Sequence, residues 1–100
     1  MTNDEVPTTP AEAVTALANH LTATADRPVP PATNRWLGEA EAVSRDAATE
    51  GLDADIRKKR VRQVAELLES AGETGDTVAD DHLAAARACC EVILQDDEKE

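Results

Sequence analysis

One hundred residues carry 21 acidic against 10 basic side chains, a formal net charge of −11 and a pI near 4.4. A chain of this length makes one domain with a modest core. No apolar run approaches the twenty residues of a membrane span, the polar start from Met1 to Glu5 is no signal peptide, and two adjacent cysteines, Cys89 and Cys90, imply no disulfide framework.

Residues 1–9 are polar and read as a flexible arm. Thr9-Pro10-Ala11-Glu12 then has the form of a helix start, with Thr9 as N-cap, Pro10 at the first helical position and Glu12 completing a capping box. Val14, Leu17, Ala18, Leu21 and Ala25 share one face at 100° per residue, so the first helix is predicted from about residue 10 to 25. Asp26-Arg27-Pro28-Val29-Pro30-Pro31 cannot prolong it, because prolines remove backbone donors and favour an extended, stiff connector.

Thr33 or Asn34 is the expected cap of the second helix, in which Trp36, Ala40, Val43 and Ala47 align, flanked by Leu37 and Ala48. Glu41 and Arg45 make a favourable i,i+4 pair on the other side. Gly51 suits the left-handed position after a helix end, with Leu52 as the apolar residue that follows such a stop. Asp53 then caps a third helix directly, a connection short enough to make helices two and three close neighbours.

The third helix extends to about Ala71, with Ile56, Val61, Val64, Leu67, Leu68 and Ala71 inward. Gly72 and Gly75 mark the next turn, and Thr77 with Asp80 restarts the chain. Val78, Leu83, Ala86, Cys89, Cys90, Ile93 and Leu94 form the broad apolar face of the fourth helix. The acidic end, residues 96–100, reads as a flexible tail.

Four amphipathic segments without a strand signal predict an all-α fold, a four-helix bundle occupying residues 10–95. Leu, Ile and Val number only 18, and with so much net charge that composition borders on disorder. Helical spacing of those few side chains argues for folding, and molar salt, with a Debye length of roughly 3 Å, relieves the self-repulsion. Trp36, the sole aromatic, is expected to be the largest piece of the core.

The run Arg57-Lys58-Lys59-Arg60-Val61-Arg62 is the one local reversal of charge. Lys58, Lys59 and Arg62 project outward among Glu66 and Glu69 as a solvated face. Arg57 and Arg60 project within the arc of Ile56, Val64 and Leu67. There a guanidinium must extend to solvent, pair with an acid such as Asp46, Glu50 or Asp81, or meet a partner, which makes the two arginines the candidate binding residues.

The Ala47/Gly51 spacing has the turn of a DNA-binding helix-turn-helix, but Asp46, Glu50, Arg57 and Arg60 stand where that motif needs apolar packing. Nucleic acid is disfavoured on this ground and on net charge.

His82 projects near the centre of the fourth helix's apolar face and is expected to be buried and hydrogen-bonded; His20 sits at a stripe edge and is expected to be exposed. His82 and Cys89 are about 10.5 Å apart along a helix, too far for shared zinc bonds of roughly 2 Å. His20, His82 and a cysteine meet only if the tertiary fold happens to join them. The cysteines read as small apolar fillers, with Arg87 pointing away from them. No catalytic residue, metal site or cofactor is expected.

The stretch Val61–Ile93, VRQVAELLESAGETGDTVADDHLAAARACCEVI, resembles the helical hairpins common in small acidic proteins of haloarchaea, with Thr-Gly in the turn and Ala-Asp-Asp-His-Leu opening the next helix. The low lysine content, three of ten basic residues, fits the same likeness. That resemblance implies a helical fold and carries no catalytic residues with it. The expectation is a cytoplasmic, non-enzymatic interaction module that binds a protein partner or itself; the alternative is an accessory protein that binds an anionic ligand or nucleic acid through the basic third helix.

Overall fold

The computed structural model describes residues 9–95, and the arm over 1–8 and the tail over 96–100 lie outside the described residues. Four helices follow one another: α1 (Pro10–Thr24), α2 (Pro31–Ala47), α3 (Ala54–Ala71) and α4 (Thr77–Gln95). They form a compact four-helix bundle with no strand among the described residues. α1 packs most extensively on α4 and α2 on α3, while the α1–α2 and α3–α4 seams are shorter. Chain neighbours and the two terminal helices thus close a ring around one core.

Local chemistry explains the starts of α1, α2 and α4. Thr9 caps α1 as expected: its Oγ1 accepts the Glu12 N–H at 3.2 Å, and Pro10 occupies the first turn. α2 begins earlier than its sequence suggests, at Pro31 rather than after Thr33 or Asn34, and no side chain caps it. Proline's fixed φ already suits a first helical residue, and its missing N–H removes one donor that needs a cap. The Asn34 N–H reaches the Pro30 carbonyl at 2.8 Å.

Asp53 stands at the N-cap of α3 without a side-chain cap bond. For α4 the capping residue is Asp76, not Thr77: Asp76 Oδ2 accepts the Ala79 N–H at 2.9 Å. Gly51 has the left-handed φ anticipated, +80°, but not the position anticipated. α2 ends at Ala47, and Gly51 instead serves the turn closed by the Leu52 N–H on the Thr49 carbonyl at 3.3 Å.

The core combines Val14, Leu17 and Leu21 of α1 with Leu37, Ala40 and Ala47 of α2, Val61, Val64 and Leu68 of α3, and Leu83, Ala86, Cys89, Cys90 and Ile93 of α4. Ala25, expected on the α1 stripe, is exposed just past the helix end at Thr24. Three large side chains expected inward also lie outside the core: Trp36 is 39% exposed, Ile56 39% and Val78 43%. Each sits in the first two turns of its helix, where the chain has only begun to meet its neighbours. In α2 the buried stripe is Leu37, Ala40, Ser44 and Ala47, turned away from the Trp36 side. Small residues let the helices approach closely there. The buried Ser44 hydroxyl is satisfied by donating to the Glu41 carbonyl at 2.8 Å.

Candidate functional site

The shorter α3–α4 seam leaves a cleft of about 330 Å³. Its floor is apolar, formed by Ala65 of α3 and by Cys90 and Leu94 of α4. Arg62, Glu66 and Glu69 line it from α3, and Arg87 and Glu91 from α4, so both signs of charge stand on the rim. Helical spacing produces this arrangement: Arg62, Ala65, Glu66 and Glu69 are three and four apart, as are Arg87, Cys90, Glu91 and Leu94. Arg87 does not point away from the cysteines. It lies over this seam, and its guanidinium donates to the Leu68 carbonyl near the end of α3 at 3.2 Å.

Both cysteines are buried and unbridged. Burial pushes the Cys90 thiol up to about 12, aided by Cys89 and Glu91 and opposed by Arg87. Burial raises Cys89 as well. A nucleophilic thiolate needs the opposite environment.

Arg57 and Arg60 lie together at the α2–α3 corner. Arg60 Nε donates to Asp46 Oδ2 at 2.7 Å, one of the acids anticipated for it. Arg57 donates from Nε to the Ala47 carbonyl at 3.2 Å and from its terminal nitrogen to the Leu52 carbonyl at 3.4 Å. A cation on the last carbonyls of a helix is favourable, because those acceptors have no intrahelical partner and carry the negative end of the dipole. The guanidiniums therefore close the corner between α2 and α3.

At the opposite pair of ends, Arg27 in the Pro-rich connector forms a two-bond fork with Asp76, at 2.8 and 3.1 Å. Asp76 also caps α4, and its N–H donates to the Thr74 hydroxyl at 3.0 Å. Thr74 in turn donates through its N–H and its hydroxyl to Asp80 Oδ1, at 2.8 and 2.9 Å. Arg27, together with the cap hydrogen bond from Ala79, holds the Asp76 carboxyl below its ordinary range. Sequence alone gave no sign of this network, since Arg27 and Asp76 are 49 residues apart.

The same α1–α4 contact unites the two histidines. His20 Nδ1 lies 2.9 Å from His82 Nδ1, with ring centroids 5.2 Å apart and planes inclined by 46°. His82 is hydrogen-bonded as expected, though half-buried rather than buried, and His20 is half-buried rather than exposed. Burial, and then the charge of His82, lower the His20 pKa from its ordinary value. Among the described residues no three His, Cys, Asp or Glu side chains gather as a metal cluster, and no helix is long and apolar enough to cross a membrane.

The fold and cleft define a small all-α bundle domain. Residues 13–100 match the family DUF8152, a domain of unknown function, and the chain belongs to that family. No curated protein and no solved structure matches it.

Proposed function

We propose that this domain is a non-enzymatic interaction module that takes an apolar side chain of a protein partner into the α3–α4 cleft. The observation that carries the reading is the cleft itself, an apolar floor of Ala65, Cys90 and Leu94 inside a rim that carries both signs of charge. Such a site matches a protein segment in which an apolar anchor is flanked by polar residues of both signs. Glu66, Glu69 and Glu91 oppose a phosphate there. The protonated, buried thiols support a binding role over a catalytic one.

The alternative, an anionic ligand or nucleic acid held by Arg57 and Arg60, has less support because both guanidiniums already serve acceptors at the α2–α3 corner. The working environment belongs to the proposal too: a haloarchaeal cytoplasm, supported by the net charge of −11 and by three lysines among ten basic residues.

Ala65→Gln fills the cleft floor without adding charge. Crosslinking in cells at their native salt is expected to join the wild-type chain to one protein and to lose that product in Ala65→Gln, with circular dichroism unchanged. Light scattering in molar salt identifies whether that protein is a second copy. Equal crosslinking by both chains removes the cleft from the account.

A further inference from the structure

We propose that His20 and His82 form a two-histidine site for one divalent transition-metal ion of the Zn²⁺ class, held between α1 and α4 by both Nδ1 atoms. The pair is set by the tertiary fold, since 62 residues separate the two positions. Two bonds of about 2.0–2.1 Å at a tetrahedral angle place their nitrogens roughly 3.3–3.4 Å apart. The observed 2.9 Å separation therefore needs to widen by about half an ångström for an ion to enter, which small rotations of two half-buried rings supply.

Without an ion, one Nδ1–H donates to the other Nδ1 lone pair. On binding, the donor ring moves its proton from Nδ1 to Nε2, so both Nδ1 lone pairs face the ion. No net proton change is required when both rings are neutral. Partial burial of His20 favours its neutral imidazole, the form that ligates. With no third protein ligand among the described residues, water completes the shell at two positions, one more than in a zinc site with three protein ligands.

The test uses the whole purified chain and Zn²⁺ alone. Calorimetry at neutral pH is expected to show one saturable equivalent, together with a rise in Tm that a chelator reverses. Both effects should vanish in His20→Ala and in His82→Ala, and persist when Cys89 and Cys90 are both changed to Ser. Should the alanine variants fail to fold, the wild type still decides: the imidazole resonances of His20 and His82 should shift together up to one equivalent of Zn²⁺. Absence of saturable binding, binding that survives both histidine substitutions, or a shift of one ring alone overturns the proposal.

Discussion

Trp36 and Leu37 are neighbours in α2 with opposite surroundings, 39% and 2% exposed respectively. Deleting a buried leucine removes its transfer free energy and leaves a cavity, whereas trimming a surface tryptophan opens none. Leu37→Ala should cost about 2–5 kcal/mol and Trp36→Ala about 1 kcal/mol or less, read from urea unfolding followed by circular dichroism. Equal losses would mean that Trp36 packs into the core after all. The two thiols give a second test at this scale. With Cys90 held at about 12 and Cys89 also raised, an alkylating reagent at pH 8 should label neither in the native chain and both once urea has unfolded it. Rapid native labelling would contradict their burial.

At the scale of the element, α4 depends on what precedes it. Asp76 caps its first turn, holds Arg27 of the connector and is itself only 15% exposed as a side chain. Asp76→Asn weakens both interactions and should lower Tm, whereas Asp81→Asn, on an exposed residue of the same helix, should leave it nearly unchanged. The pH dependence follows in sign. The Asp76 carboxyl titrates lower in the folded chain than its ordinary 3.8, so the unfolded chain binds more protons between those two values. The stabilisation is present above about pH 4 and lost as pH falls through the depressed value. Acid unfolding monitored by circular dichroism should therefore lose part of its steepness in Asp76→Asn.

Helix existence was readable because apolar spacing and caps act over three or four residues: Thr9, Gly72 and the Ala71 end of α3 fall where the pattern puts them. Helix facing was less readable. A stripe containing Trp36, Ala40 and Val43 and one containing Leu37, Ala40 and Ser44 differ by a modest rotation, and only the position of α3 and α1 selects between them. Ser44 looked polar in sequence and is wholly buried, because its hydroxyl bonds within its own helix. The Glu41–Arg45 pair was visible as i,i+4, but its contact with Thr22 of α1, at 3.0 Å from Glu41 and 3.1 Å from Arg45, was not. The cleft also escaped notice, since Arg62 and Arg87 lie on different helices and neither sequence neighbourhood is unusual.

For the whole molecule, net charge and core size set the balance. Twenty-one acids in a chain whose core has few large aliphatics make self-repulsion a sizeable opposing force. Raising salt from tens of millimolar to molar should raise Tm and sharpen melting as the Debye length falls from about 30 to 3 Å. Unchanged helix content and melting across that range would show that the packed core suffices by itself.

Composition and periodicity by themselves determined that this chain is helical, that it has four segments, and nearly where each begins and ends, because those properties depend on neighbours a few bonds away. Only the tertiary structure decided that Trp36 stays at the surface, that Arg57 closes a helix end, that α3 and α4 part enough to leave a cleft, and that His20 meets His82. Contacts between residues tens of positions apart depend on how helices rotate and cross, and no local pattern along the chain encodes that angle.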